Sequence, residues 1–206
     1  MRVLGIDPGS AVTGWGVVEM SPLGIRYVAS GIITTRGCAS FADRLHRICD
    51  GVRALARQWA PQAAGLERAF VARNVQAAFR LGEARGAVLV GLAAEGVDVH
   101  EYAPASVKLA VAGFGRADKE QVGRGVTRLL HVSENMPRDA SDALAIALCH
   151  LHGARLATQL RQAMGRTRTN VRRSTLMGAA RASVAPRGRI AARRPRGPLG
   201  VRGGGA

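Results

Sequence analysis

Short hydrophobic runs separated by turn-forming residues occupy the first part of the chain. Residues 3–6 are apolar and end on Asp7, after which residues 8–10 (Pro-Gly-Ser) interrupt any strand. Residues 12–18 and 25–35 form two further runs rich in β-branched residues. Runs of this length, bounded by Gly, Pro and Ser, are typical of strands, and consecutive ones commonly pair as hairpins. The pattern therefore predicts an antiparallel meander of three strands.

Farther along the chain, helical periodicity alternates with short apolar runs. Ser40 with Asp43 resembles the capping box that begins a helix, and apolar residues recur on one face of the stretch that follows. The order of three strands, helix, strand, helix, strand and helices indicates an α/β fold, with a mixed five-stranded sheet flanked by helices. The later predicted strands are 63–67 and 97–102, and the predicted helices are 41–59, 74–94, 104–112, 118–131 and one that begins at Pro137.

Positive charge is concentrated near the carboxyl end of this 206-residue chain. The formal net charge is +16, yet residues 1–153 contain 17 Lys and Arg against 14 Asp and Glu. Residues 154–206 contain 13 Arg and no acid. Gly, Ala, Arg and Pro dominate from about residue 165, so we expect one domain over 1–160 and a disordered basic tail over 161–206. Such a tail suits a polyanion, most simply nucleic acid, although acidic membranes would also attract it.

Two classes of protein are disfavoured by the sequence. No apolar stretch reaches the roughly 18 residues that a membrane helix requires, and no secretory leader opens the chain. The three cysteines are odd in number and lack the spacing of metal ligands. These features favour a cytoplasmic protein without a membrane partner.

Two acidic residues stand at the carboxyl ends of predicted strands. Asp7 follows the first strand, and Glu67 closes the strand at 63–67. Ligands of open α/β sheets bind beyond the carboxyl ends of the strands, so we expect these acids in one cleft. A buried carboxylate needs a cation or hydrogen bonds, which makes metal binding one interpretation of Asp7. The alternative is that Asp7 only caps its own turn through backbone amides.

A second acidic pair, Asp139 and Asp142, lies at the start of the last predicted helix. Their spacing of three residues places both carboxylates on one face. Acids in a first turn also complement the helix dipole, and that interpretation stays open. Carboxylates without sulfur or imidazole partners suit Mg²⁺ or Mn²⁺. Two such ions about 3.5–4 Å apart can clamp the attacking water and the leaving oxygen of a phosphodiester, so acids beside a basic surface predict a metal-dependent nuclease.

Four sequence motifs extend this interpretation. They are GIDPGSAVTGWG (5–16), LERAFVARNVQAAFRLGEARG (66–86), VKLAVAGFGRADKEQV (107–122) and DASDALAIA (139–147). Together they resemble the RuvC family, which are Holliday-junction resolvases with an RNase H-like fold. The resemblance implies an RNase H-like sheet and a Mg²⁺-dependent homodimer that nicks two strands of a four-way DNA junction symmetrically. It also implies two metal ions per active site, with Mn²⁺ as an alternative, and the RuvA and RuvB branch-migration proteins as partners.

The same resemblance assigns the family's functional residues to positions in this chain. The acidic metal ligands would be Asp7, Glu67, Asp139 and Asp142, which with Lys119 make up the predicted catalytic set. The aromatic residue that probes the junction would be Phe70, for which a core phenylalanine under the loop is the alternative. The predicted DNA contacts are Phe70, Arg73, Asn74, Lys108 and Lys119.

Three other functions fit parts of the sequence. GIDPGS also resembles the first phosphate loop of the actin, Hsp70 and sugar-kinase ATPases, but those need two such domains and the chain is too short for both. A non-catalytic basic nucleic-acid-binding protein would explain the tail, but not acids that repel phosphate when no metal is bound. An RNase H-like nuclease acting on structured RNA, resembling the YqgF group, is the nearest enzymatic alternative.

Overall fold

The computed structural model describes residues 1–68, 74–133 and 135–182, but not the side chains of residues 162–182. The chain forms two compact units, Met1–Gln159 and Leu160–Ala206. Within the described residues, no helix combines the length and the apolar character needed to cross a membrane. The elements in chain order are β1 (Arg2–Asp7), β2 (Val12–Ser21), β3 (Gly24–Thr34), α1 (Phe41–Trp59), β4 (Ala63–Glu67), α2 (Val75–Ala94), β5 (Asp98–Tyr102), α3 (Pro104–Ala112), α4 (Lys119–Leu130) and α5 (Arg138–Ala182).

A single five-stranded sheet has the order β3-β2-β1-β4-β5. Strands β1, β2 and β3 pair antiparallel, whereas β4 is parallel to both β1 and β5. This confirms the mixed α/β sheet and the meander that the hydrophobic pattern predicts. Because β1, β4 and β5 run in the same direction, their carboxyl ends meet at one edge of the sheet.

Side-chain caps fix the starts of two helices. Ser40 and Asp43 exchange hydrogen bonds with each other's backbone amides at the start of α1, which is the predicted capping box. Asp118 and Gln121 form a second capping box at the start of α4. Caps of this kind stabilise a helix by about 0.5–2 kcal/mol. The second box fixes the start of α4, whose first residue is Lys119.

Helices cover both faces of the sheet, and β1 contributes to the core on each side. Leu4 and Ile6 pack in a cluster with residues of α1 and α2. Val3 packs in a second cluster with residues of α3, α4 and α5. All three side chains are fully buried, and their division follows from the two-residue period of a strand. The sheet is thus held from both sides at the strand that carries Asp7.

The backbone of the second unit is helical as far as Ala182. This stretch can adopt a helical backbone because no proline follows Pro137 before Pro186, and Ala, Leu, Gln and Arg are strong helix formers. Residues 183–206 lie outside the described residues. The disordered basic tail over 161–206 that the sequence analysis expects stays a prediction.

Candidate active site

Three elements bring four acidic side chains to one edge of the sheet. Asp7 is the last residue of β1, and Glu67 is the last residue of β4, its parallel neighbour. Asp139 and Asp142 lie at the amino end of α5. Asp7, Glu67 and Asp142 line one cavity, and the charge of Asp139 is close enough to raise the pKa of Asp7 and of Asp142. The structure therefore brings together all four acids that the sequence singles out.

Two glycines allow α5 to lie directly on the sheet beside these acids. A Cβ atom added to Gly14 would stand 1.9 Å from the carbonyl oxygen of Asp139. One added to Gly5 would stand 2.0 Å from the carbonyl oxygen of Ala143. Gly14 pairs with Asp7 across β1 and β2, so the same contact that seats α5 also sets its distance from Asp7. Any larger side chain at Gly5 or Gly14 would push the backbone of α5 away.

Burial and mutual repulsion raise the pKa of three of these carboxyl groups. The pKa of Asp7 rises from 3.8 to about 7, first because burial disfavours its charge and then because Asp142, Glu67 and Asp139 add negative charge. Burial is also the largest cause of the raised pKa of Glu67 and of Asp142. Lys119 opposes the rise at all three groups. A cluster of acids this poorly compensated favours a bound cation.

Hydrogen bonds in the β1–β2 turn bear on the alternative that Asp7 only caps its own turn. Thr13 Oγ1 donates to the carbonyl oxygen of Gly9 at 2.9 Å and accepts from the Gly9 amide at 3.4 Å. Thr13 is fully buried, so these bonds secure the turn from within. Among the residues that the structure describes, none donates a hydrogen bond to the Asp7 carboxylate. Thr13, and not Asp7, therefore caps this turn, which leaves the carboxylate available to a ligand.

Two lysines face the acids from the neighbouring helices. Lys119 Nζ lies 3.6 Å from Asp142 Oδ2. Lys108, on α3, lines a cavity of about 160 Å³ together with Asp7, Glu67 and Asp142. Both lysines lower the pKa of Glu67. The side chain of Lys119 is 84% exposed, so its ammonium group can contact a phosphate from solvent while it neutralises the acids.

The donor chemistry of the cavity fits a hard divalent cation. Its acids offer carboxylate oxygens without sulfur or imidazole, which are the ligands that Mg²⁺ and Mn²⁺ prefer. The described residues, however, contain no group of three His, Cys, Asp or Glu side chains that lie close enough together to hold a metal ion. The carboxylates must converge further to share a cation. Glu67 and Asp142 are only half-buried, so their side chains have room to do so.

A larger groove adjoins the acids along α4 and α5. Its volume is about 660 Å³, and it shares Lys119 and Asp142 with the smaller cavity. Arg124 and Arg138 also line the groove. Its three basic side chains are matched by three acidic ones, Asp118, Glu120 and Asp142, so the lining alone does not favour an anionic polymer.

The remaining predicted DNA contacts fall on the segment between β4 and α2. Phe70 and Arg73 lie outside the described residues, so their roles stay predictions. Asn74 is the N-cap of α2, where its side-chain oxygen accepts a hydrogen bond from the Ala77 amide at 3.2 Å. This capping bond gives Asn74 a structural role that the sequence analysis did not predict, and its contact with DNA stays a prediction.

One residue beside the site was missed by the sequence analysis. Arg85 on α2 donates to the backbone carbonyl oxygen of Glu67 at 2.7 Å and to the Glu101 carboxylate at 2.5 Å. The sequence position of Arg85 could have indicated its role, because it lies beside Ala84 and one turn from Val88, which are both fully buried. An arginine at the margin of a buried helix face needs a partner, and the acid of β5 provides one.

Comparisons with known proteins agree with this geometry. The family model for crossover junction endodeoxyribonuclease RuvC matches residues 3–150. The protein of that name from Burkholderia vietnamiensis is 48% identical over 181 residues, which cover 86% of this chain and all of that protein. Its counterpart from Cupriavidus metallidurans is 45% identical over 185 residues, again 86% of this chain and all of that protein.

A solved structure is similar over most of the chain. T. thermophilus RuvC in complex with Holliday junction substrate has a TM-score of 0.71 and 38% identity, and the match covers 77% of this chain and 97% of that chain. The residues matched by the family model include the four acids and both lysines. This chain belongs to the RuvC family of crossover junction endodeoxyribonucleases.

Proposed function

We propose that this protein is a structure-specific endodeoxyribonuclease that resolves four-way (Holliday) DNA junctions in recombination and repair. The observation that carries the proposal is the convergence of Asp7, Glu67 and Asp142 on one cavity beside Lys108 and Lys119, with the charge of Asp139 close enough to raise the pKa of Asp7. The family membership supports the same conclusion, since its relatives are named as crossover junction endodeoxyribonucleases and one was solved with a junction substrate. The products would be paired symmetric nicks in two strands.

The RuvC family consists of divalent-metal-dependent nucleases, and we assign two Mg²⁺ ions to this site, with Mn²⁺ as an alternative. Asp7, Glu67, Asp139 and Asp142 would hold them. Bound there, the ions would supply an activated water and stabilise the leaving oxygen of the phosphodiester. Asp7 must lose its proton to become a ligand, and its pKa of about 7 makes that step depend on pH near neutrality.

The two lysines have separate parts in this mechanism. Lys119, whose Nζ lies next to Asp142, would neutralise the negative charge that develops on the reacting phosphate. Lys108, on α3, lines the cavity with Pro104 and Val107 and would bind a phosphate of the same strand. An ammonium group acts as a point charge in both positions and tolerates several phosphate orientations.

We further propose that the segment after Glu67 contacts the junction through Phe70, Arg73 and Asn74. An aromatic ring that stacks on an unpaired base contributes about 1–3 kcal/mol. The Phe70→Ala variant should then lose more cleavage than thermal stability. A large fall in melting temperature would instead identify Phe70 as a core residue.

A homodimer would supply the two active sites that paired nicks require, and α2 offers a surface for it. Val75, Phe79 and Val90 are 65%, 68% and 63% exposed and lie on one face of the helix. Gly82 and Gly86 lie on the same face, and a Cβ atom added to either would meet nothing within 4 Å. An exposed apolar stripe with small residues in its middle suits close packing against the same helix of a second copy.

The remaining assignments follow from the family. We propose that residues 1–160 form the nuclease domain and that the basic tail over 161–206 adds affinity for DNA. The protein would act in the cytoplasm, where bacterial DNA is located, together with the RuvA and RuvB proteins.

The decisive experiment for this function compares substrates. Full-length protein is incubated in Mg²⁺ with a four-way DNA junction, a linear duplex of the same sequence and a structured RNA of similar length. The proposal predicts Mg²⁺-dependent cleavage of the junction far above that of the other two. Preferred cleavage of RNA would favour a YqgF-like nuclease, and binding without any cleavage would favour a non-catalytic nucleic-acid-binding protein.

A further inference from the structure

At the end of strand β4, backbone pairing with β5 extends farther than pairing with β1. On the β1 side, the register ends at the pair Ile6 and Leu66. On the β5 side, it continues through Glu67 and Tyr102, and the next amide, that of Arg68, donates to the Tyr102 carbonyl oxygen at 2.7 Å. The backbone of Glu67 is therefore held from β5 alone within the sheet, and the chain leaves the sheet directly after it.

Arg85 completes this arrangement from the helix above. Its Nη1 donates to the Glu67 carbonyl oxygen at 2.7 Å, and its Nη2 donates to Glu101 Oε1 at 2.5 Å. Glu101 precedes Tyr102 on β5 and also lies 4.0 Å from the Arg68 guanidinium. One guanidinium thus joins the ends of two adjacent strands, and we call the Arg85 and Glu101 pair the Arg85–Glu101 clamp.

The clamp fixes position, whereas it contributes little charge to the acids. The side chain of Arg85 is only 12% exposed, so its geometry is held by the surrounding protein. Its charge is balanced by Glu101, and the raised pKa of Glu67 is opposed by Lys119 and Lys108 but not by Arg85. A planar guanidinium with two directed hydrogen bonds defines a backbone position more closely than an ammonium group can.

We infer that the Arg85–Glu101 clamp is a positioning device for the reaction: it holds the backbone of Glu67 so that the carboxylate converges with Asp7 and Asp142 on a shared divalent cation. The inference rests on the proposed function. Outer residues that orient a metal ligand typically affect metal affinity or activity about 10- to 100-fold when they are replaced. Among the described residues, the Arg85 guanidinium hydrogen-bonds only the Glu67 carbonyl oxygen and Glu101, so its effect on the site is argued through Glu67.

The test uses the full-length Arg85→Gln, Arg85→Lys and Glu101→Gln variants and the Arg85→Gln/Glu101→Gln double variant. Three quantities are measured: junction cleavage rate, junction affinity in EDTA, and the Mn²⁺ concentration that gives half of the metal-induced melting shift without DNA. The matched control is Arg57→Gln, which breaks another Arg–Glu pair, with Nε 2.8 Å from Glu95 Oε2, outside the acid cavity.

We expect Arg85→Gln to slow cleavage about 10- to 100-fold and to raise the half-saturating Mn²⁺ concentration severalfold, with junction affinity in EDTA within about twofold of the parent. Arg85→Lys should restore part of both losses. The double variant should be no worse than Arg85→Gln, because both changes break one unit. Arg57→Gln should leave all three quantities at the parental values.

A purely structural role for the clamp would give a different result. If Arg85→Gln and Arg85→Lys lower only the melting temperature, while cleavage per folded molecule and the half-saturating Mn²⁺ concentration stay parental, the clamp is merely structural. Should Arg85→Gln fail to fold, Arg85→Lys decides alone. Absence of junction cleavage by the parent protein would instead contradict the proposed function, and the Mn²⁺ titration without DNA would still test the clamp.

Discussion

The ionisation of Asp7, a buried carboxyl group at the end of β1, affects the stability of the fold. Burial and three neighbouring carboxylates raise its pKa to about 7, whereas it would titrate near 3.8 when unfolded. Between these values the folded protein binds more protons than the unfolded chain. The free energy of unfolding therefore falls as pH rises from about 4 to about 7, and the loss is complete above that range.

This sign gives a prediction for Asp7→Asn in the presence of EDTA. The substitution removes the destabilising charge, so the melting temperature should rise above that of the parent at about pH 8, and the gain should vanish near pH 4. Thermal melts across this range measure it. Glu95→Gln is a control of opposite sign, because Arg57 and Arg53 lower the pKa of Glu95, so that its charged form stabilises the fold at neutral pH. An unchanged melting temperature for Asp7→Asn at pH 8 would contradict the assigned burial of its charge.

The close packing of helix α5 on the sheet determines the positions of Asp139 and Asp142, which lie in its first turns. This packing depends on Gly14, because a side chain there would collide with the Asp139 carbonyl oxygen. We predict that Gly14→Ala displaces the start of α5 and slows cleavage at least about 10-fold, because small displacements of catalytic groups cost about that much or more. Junction cleavage rates and thermal melts check this.

A matched control for that substitution lies on α5 itself. A Cβ atom added to Gly153 meets nothing within 4 Å. Gly153→Ala should leave cleavage unchanged and stabilise the helix by up to about 1 kcal/mol. If the Gly14→Ala and Gly153→Ala proteins cleave at the same rate, the close packing of α5 on the sheet does not set the geometry of the site.

The hydrophobic pattern was sufficient to predict the strands and helices, but not the contacts between them. The strand ending at Glu67 and the capping box of Ser40 could be predicted because both depend on neighbours in sequence. The approach of α5 to Gly5 and Gly14, and the hydrogen bonds of Arg85, join residues far apart in the chain. No local pattern specifies such contacts. Beyond residue 161 the helix propensity of Ala and Arg opposes the low sequence complexity, so the disordered basic tail stays a prediction.

At the scale of the whole molecule, the proposed dimer predicts an effect of the exposed α2 face. Phe79→Glu places a charge in the middle of the stripe, so the protein should become monomeric and lose paired nicking. Sedimentation measures the oligomeric state. Leu23→Glu is the control, because Leu23 is fully exposed in the β2–β3 turn and should not affect assembly. A Phe79→Glu protein that stays dimeric would exclude this face as the interface.

The basic tail should add affinity without selecting DNA structure. Its arginines are interspersed with Gly, Ala and Pro, and each phosphate that they neutralise on duplex DNA should steepen the salt dependence of binding by about 0.9 in log–log slope. A chain ending at Met164 should bind junction and duplex more weakly by similar factors, with a shallower slope, and should still cleave at saturating protein. Binding of both DNAs over a salt series measures this. Loss of junction preference alone would mean that the tail reads structure.

The central claim is that the four converging acids resolve a junction, and cleavage mapping tests it most directly. Each strand of a four-way junction is end-labelled in turn and incubated in Mg²⁺ with the parent, Asp7→Asn or Glu67→Gln protein, and gel shifts are run on the same preparations. The account predicts symmetric cuts in two opposed strands by the parent. Each variant should bind the junction normally but cleave more than about 100-fold more slowly, because it has lost a metal ligand's charge and kept its shape. Near-parental cutting by either variant, or cuts that are not paired across the junction, would contradict the account.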